Sequence, residues 1–219
     1  MRRGERNKEM GFYERYGKRA LDVLISLTAI LVLWPIYLII AILVRVEMGS
    51  PVLFGQERIG KDEKPFRLYK FRSMTDKKDA NGNLLPESER LTRFGAALRS
   101  SSLDELPELF NILKGDMALI GPRPLPTYYG PYFHEDERVR HSVRGGLIPP
   151  DSLSGKAVTG WEEQFEYECY YARHISLWLD IKVFFTTFRI LLGRVETDYG
   201  DGTGGRPHLS EYRKDEVKN

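Results

Sequence analysis

A single cysteine, Cys169, stands in a chain of 219 residues. Neither an internal disulfide nor a thiolate metal cluster is therefore available, and the folded part is expected to face a reducing compartment. An excess of one charge is also missing. The chain sets 33 Lys and Arg against 31 Asp and Glu, a net of +2, which does not favour nucleic acid as a partner. No zinc-finger, phosphate-loop or dinucleotide-binding spacing occurs, and no internal repeat. The length suits one domain with a real core and appendages. The charge is uneven within it: residues 1–19 hold seven Arg or Lys against three Glu.

What the chain does have is an uncharged run from Val23 to Val44. As a helix this run would extend about 33 Å, against about 30 Å for a hydrocarbon core. Trp34-Pro35 interrupts its middle, where proline removes a hydrogen bond and kinks a helix. Positive charge lies on both sides, Arg15, Lys18 and Arg19 before it and Arg45, Arg58, Lys61, Lys64 and Arg67 after it. A single crossing does not fit that symmetry; a helix that enters, bends at Pro35 and returns to the same face does. A straight single-pass helix with a tolerated proline is the alternative. The run is too long for a cleaved signal peptide and lacks a small-residue cleavage site.

The densest chemistry lies in Ser101-Ser102-Leu103-Asp104-Glu105-Leu106-Pro107-Glu108-Leu109-Phe110-Asn111. Proline is comfortable only in the first positions of a helix, so Pro107 places Asp104 at or just before an N-cap. Leu106, Leu109, Phe110 and Leu113 then recur at helical spacing and Gly115 ends the helix. Asp104 and Glu105 are thereby expected at the positive end of a helix dipole, which would favour their ionised forms and attract phosphate. An ionised aspartate near cations can attack phosphorus. The plainer reading is that Asp104 only caps the helix while Glu105 is solvated.

Basic residues surround this stretch. Phe66 to Met74 alternates apolar and basic residues, as a short strand or hairpin with one basic face would. Residues 76–89 are polar and rich in turn formers, a surface loop beside the site. A helix through Leu91, Phe94 and Leu98 would deliver Arg99, whose guanidinium can hold two phosphate oxygens or cap its own helix. Arg123 lies between two prolines in Gly121-Pro122-Arg123-Pro124 and is presented rigidly. From Tyr170 to Arg194 apolar clusters alternate with Arg and Lys, which suits either a helix lying in a membrane interface or core packing. The tail from Glu196 lacks a core and is expected to be disordered.

In this order, Lys18-Arg19-Ala20-Leu21-Asp22, the run with Pro35, Tyr69-Lys70-Phe71-Arg72-Ser73-Met74, Ser102 to Pro107, Lys114-Gly115-Asp116-Met117 and Gly121-Pro122-Arg123-Pro124-Leu125 resemble the small monotopic phosphoglycosyl transferases of the bacterial sugar transferase family. The resemblance spans residues 15–194. It implies a mainly helical α+β fold, monotopic in the membrane, with a proline-broken re-entrant helix and interfacial amphipathic helices around a small cytoplasmic catalytic core. The divisions are then a basic segment 1–19, the re-entrant helix 20–46, a catalytic domain 47–194 and a disordered tail 195–219.

The reaction it implies is transfer of a sugar 1-phosphate from a UDP-sugar donor to polyprenol phosphate, releasing UMP and initiating glycoconjugate assembly at the cytoplasmic face of the bacterial inner membrane. Asp104 would be the nucleophile that carries the phosphosugar, and Glu105 would hold metal or handle a proton. Magnesium is expected at Asp104 and Glu105, and Arg99, Arg123 and Arg144 would bind substrate phosphate. The other partner is the phospholipid bilayer, and a homodimer is left open. One region departs from the family pattern. An Arg-Pro-Gly-Ile-Thr-Gly segment is replaced by Arg144-Gly145-Gly146-Leu147-Ile148-Pro149-Pro150-Asp151-Ser152-Leu153-Ser154-Gly155, so the sugar is not named. Two other classes compete: a lipid-linked phosphate hydrolase and a non-catalytic membrane scaffold.

Overall fold

The computed structural model describes residues 11–193 and 206–215. A π-helical turn, Tyr13–Gly17, leads into α1, Lys18–Met48, a helix of 31 residues. Its mean hydropathy over the most apolar window is 2.7, and it is long and apolar enough to cross a membrane by length and composition. The helix continues through Pro35 rather than dividing there. A proline withdraws one backbone donor, and the bonds on either side can hold the helix together.

The outer face of α1 is open, with Leu24, Leu31, Val32, Trp34 and Ile39 exposed. Its other face packs along the rest of the protein over its whole length. Near the start, Arg19 donates to the Leu113 carbonyl at 2.8 Å, and Asp22 accepts from the Leu119 N–H at 3.1 Å. Ala29 and Ile30 pack on Leu68, Leu109, Ile112 and Met117. Ile40 and Val44, near its end, join Phe71 and Leu98.

Strands β1, Leu53–Ile59, and β2, Pro65–Phe71, form an antiparallel hairpin in which Arg58 faces Phe66 and Gln56 faces Leu68. Side chains alternate across a strand, so Arg58, Leu68 and Lys70 share one face while Arg67 turns to the other. The expected single basic face is thus divided. After the polar loop come two short helices, α2, Glu87–Arg90, and α3, Arg93–Ser100, the latter capped by the Thr92 hydroxyl accepting from the Gly95 N–H. Leu91, expected on that helix, lies outside it and bridges to Met74. Helix α4, Glu108–Lys114, ends at Gly115 with φ 98°, the left-handed cap that glycine takes without a Cβ penalty.

Strands β3, Met117–Ile120, and β4, Gly145–Ile148, pair in parallel. Gly121 and Gly146 cross here so closely that a Cβ on Gly146 would lie 2.1 Å from the Gly121 nitrogen, which excludes any larger residue. The stretch from Tyr170 is two elements: α5, Trp161–Arg173, and α6, Leu177–Gly193. On α6, Leu179 and Val183 are buried against Ile120 and Tyr171, while Trp178, Phe184, Phe185 and Phe188 are exposed. Core packing thus holds for one face of α6, and the other presents exposed aromatic side chains.

The tail expectation needs correction. Residues 195–205 and 216–219 lie outside the described residues, as do 1–10 of the basic segment. Residues 206–215, by contrast, are docked through a short helix, α7, Leu209–Tyr212. Leu209 is fully buried among Ile59, Leu125, Tyr129, Phe133, Trp161 and Phe165. Arg213 is paired with Glu137 through both terminal nitrogens, at 2.7 and 2.6 Å. One apolar side chain and one arginine thus supply a hold that the polar composition of the tail conceals.

Candidate active site

The two adjacent carboxylates occupy a tight turn, Leu103–Glu105, one step before α4. Pro107 has no N–H to donate to the Leu103 carbonyl, and Leu106 donates to it instead at 3.3 Å, in i→i−3 fashion. The same short spacing recurs from Leu109 to Leu106 and from Phe110 to Pro107, both at 3.1 Å. Pro107 is therefore the N-cap and Asp104 is not. Ser102, just upstream, holds φ 57°, a left-handed conformation that non-glycine residues rarely adopt. Tyr37 of α1 donates its hydroxyl to the Leu106 carbonyl and so ties the apolar helix to this turn.

Helix α4 is fixed on the hairpin by Asn111, which is almost fully buried. Its side chain accepts from the Tyr69 N–H at 3.1 Å and donates to the Arg67 carbonyl at 2.8 Å. That docking sets the helix start against Lys70. Lys70 Nζ lies 2.5 Å from Glu105 Oε1 and 3.3 Å from Glu108 Oε1. Arg123 reaches the same Glu105 oxygen at 3.8 Å. Arg58, whose NH1 donates to the Pro124 carbonyl at 3.1 Å, completes a cleft floored by Leu68 and walled by Gly146 and Leu147.

The electrostatics differ among the three carboxyls. Burial pushes Asp104 up to about 6, which Lys70 opposes, Glu105 reinforces and Arg99 opposes again. Glu105 feels burial too, but Lys70 and Arg123 hold it below the usual range. Burial and the neighbouring Glu105 charge push Glu108 above the usual carboxylate range, with Lys70 and Arg123 opposing. The expectation that position would favour the ionised form therefore holds for Glu105 and reverses for Asp104, because loss of solvent outweighs the cations beside it. Neighbouring acids with pKa values driven apart are a recurrent feature of acid–base sites.

The expected arginines are not all brought together. Arg123 lines the cleft. Arg99 donates through Nε to the Ser73 hydroxyl at 2.9 Å and bears electrostatically on Asp104, so it stands on the Asp104 side. Arg144 donates to the Gly115 carbonyl at 2.8 Å and does not line the cleft. With Arg19 it satisfies the carbonyls at the C-terminal end of α4, where cations are favoured. Asp104 itself is 7% exposed and is not among the cleft-lining residues.

Three participants were missed from sequence. Glu108 looked like an ordinary helix-start residue, Lys70 one of several basic residues on a strand, and Arg58 a membrane flank. Only the parity of the hairpin, which puts Arg58 and Lys70 on one face, could have singled out the last two.

Among the described residues no group of three or more His, Cys, Asp or Glu side chains is arranged to hold a metal. Asp104 and Glu105 supply hard carboxylate oxygens suited to magnesium bound through one or two carboxylates and completed by substrate phosphate.

Paired acids and fixed cations in one cleft suit a phosphate-handling enzyme, and α1 is apolar enough to enter a membrane. The family model described as Bacterial sugar transferase matches residues 13–194, and the chain belongs to that family. It is 42% identical over 180 residues to the uncharacterized sugar transferase EpsL of Bacillus subtilis (strain 168), covering 80% of this chain and 87% of that protein. It is 38% identical over 183 residues to a UDP-N-acetylgalactosamine-undecaprenyl-phosphate N-acetylgalactosaminephosphotransferase of Aeromonas hydrophila, covering 80% of this chain and 43% of that protein. To a UDP-glucose:undecaprenyl-phosphate glucose-1-phosphate transferase of Klebsiella pneumoniae it is 36% identical over 180 residues, covering 78% of this chain and 39% of that protein. The chain thus spans about two fifths of the length of the latter two.

Proposed function

We propose that the protein transfers a sugar 1-phosphate from a UDP-sugar to polyprenol phosphate through a covalent intermediate on Asp104. The observation that carries this reading is the union, on one turn, of a buried aspartate with an ionised Glu105 held between Lys70 and Arg123. Membership of the family and the reactions named for its relatives support it.

Asp104, ionised above about pH 6, attacks the phosphorus that bears the sugar. The bond from that phosphorus to the UMP oxygen breaks, UMP leaves, and an aspartyl phosphosugar remains. A phosphate oxygen of the polyprenol phosphate then attacks the same phosphorus, and Asp104 returns as a carboxylate. Arg123, Lys70 and Arg58 orient phosphate oxygens and offset the charge that develops on them. Glu108, raised by burial, accepts the proton of an incoming phosphate that carries one. Magnesium, held by Asp104 and Glu105, would neutralise the diphosphate and ease departure of UMP.

The anchor is read as re-entrant and the catalytic unit as cytoplasmic at the bacterial inner membrane. Support comes from α1, whose beginning, middle and end all touch the same folded unit. A helix perpendicular to a bilayer about 30 Å thick would carry one end away from that unit.

The test is release of UMP from a panel of UDP-sugars with Mg²⁺, with and without polyprenol phosphate, beside retention of labelled sugar phosphate on the protein. Donor-dependent label on wild type and none on Asp104→Asn is expected. Equal activity of the two proteins would refute the assignment, and turnover with no label at any time would favour hydrolysis.

A further inference from the structure

Residues 206–215 lie beyond the part of the chain that the family model matches, which ends at 194. They nevertheless contact the elements behind the cleft. Trp161, at the start of α5, donates its indole N–H to the Pro207 carbonyl at 2.9 Å. The Arg206 guanidinium stacks over the Trp161 ring, 3.8 Å from its centre. One terminal nitrogen donates to the Thr159 carbonyl at 2.9 Å and the other to Gln164 Oε1 at 2.7 Å.

The bond to Gln164 leads to Arg123, and the one to Thr159 leads to Asp151, whose charge bears on Arg123. Gln164 passes a hydrogen bond to Glu168 Oε1 at 2.9 Å, and that same oxygen accepts from the Arg123 backbone N–H at 2.8 Å. Glu168 is fully buried. Its other oxygen takes Arg140 Nε at 2.7 Å, and Arg140 also donates to the Arg123 carbonyl at 2.7 Å. Both backbone groups of Arg123 are thus held by one buried network, and Arg206 closes its outer end. On the second path the Thr159 hydroxyl donates to Asp151 at 2.9 Å. Asp151 belongs to the segment that departs from the family pattern. Burial, opposed by Asp151 and Glu168 and aided by the like charge of Arg123, lowers Arg206, so these groups sense one another.

We infer that Arg206 is a positioning residue: the docked C-terminal segment fixes Arg123 through Gln164 and Glu168, and sets how firmly the cleft grips the diphosphate of its donor. The inference rests on the proposed role of Arg123 toward donor phosphate. Hydrogen-bonded neighbours in one buried network act as a unit rather than additively. Removal of Arg206 frees Gln164 to rotate, leaves Glu168 one tie fewer, and loosens the rigid Pro-Arg-Pro segment in front of it.

The experiment is a double-mutant cycle on the full chain in lipid nanodiscs, with UDP as the probe for binding and UMP release as the measure of turnover. Arg206→Ala is expected to weaken UDP binding about fivefold in the wild-type background and by less than about twofold in Arg123→Ala, a coupling of the size found for networked side chains. Arg206→Lys, which keeps the charge over Trp161 and one donated bond, should recover part of the loss. Thermal unfolding of every variant guards against a folding defect, and the lysine variant decides the question if alanine does not fold. Equal weakening in both backgrounds, or no recovery with lysine, overturns the inference. UDP binding without turnover of any UDP-sugar would refute the transfer reaction alone, and wild type that fails to bind UDP would refute both.

Discussion

Asp104→Asn should abolish turnover and, at the same time, stabilise the protein at neutral pH. Burial raises the Asp104 carboxyl from 3.8 to about 6 even with Lys70 opposing. Each unit corresponds to about 1.4 kcal/mol, so ionisation of this side chain costs the fold roughly 3 kcal/mol. Because the folded value lies above the unfolded one, the stabilising contribution is complete below about pH 4 and is lost as pH rises through about 6. Asparagine keeps the shape and carries no charge. The variant should therefore match wild type near pH 4 and exceed it by about 2–3 kcal/mol at pH 8. In a domain of this size 1 kcal/mol moves Tm by about 2–4 °C, which implies a gain of about 5 °C or more. Thermal unfolding of both proteins in identical nanodiscs, followed from pH 4.5 to 8 beside UMP release, measures it. Equal Tm at pH 8 would show that the buried charge is not under strain, and an active variant would remove Asp104 from the chemistry.

Lys70→Met removes the cation that opposes the rise of Asp104, so the acid limb of UMP release should move upward in pH. The rate ratio to wild type should therefore worsen several-fold between pH 8 and pH 6, whereas a loss uniform across pH would contradict the coupling. Asp180 accepts from Tyr13 at 2.6 Å, Lys18 at 2.9 Å and Tyr171 at 2.6 Å. Asp180→Ala removes the acceptor these three donors share, leaving Lys18 with Asp22 and Tyr171 with the Ile120 carbonyl, and should cost about 3 kcal/mol, read as a lowered Tm. Single cysteines at Gly11 and Lys61, in a background lacking Cys169, should react with an impermeant maleimide from the same side of sealed vesicles. Labelling from opposite sides would establish a single crossing.

Residue pattern alone carried much of this protein. The uncharged run pointed to a membrane-compatible helix, Pro107 to a helix start and Gly115 to a helix end, because each preference follows from local backbone chemistry. The order of motifs carried the family. Local chemistry did not extend to the state of the carboxylates. Spacing put Asp104 and Glu105 in equivalent positions, and packing made them opposites by desolvating both while pairing Lys70 and Arg123 directly with Glu105 alone. Nor did it extend to Arg144, whose apparent place in a binding motif is taken up by the end of α4. The polar tail illustrates the same boundary, since Leu209 and Arg213 find their partners far back in the chain, at Ile59 and Glu137. Desolvation and long-range pairing depend on which distant residues meet, and only the tertiary structure decides that.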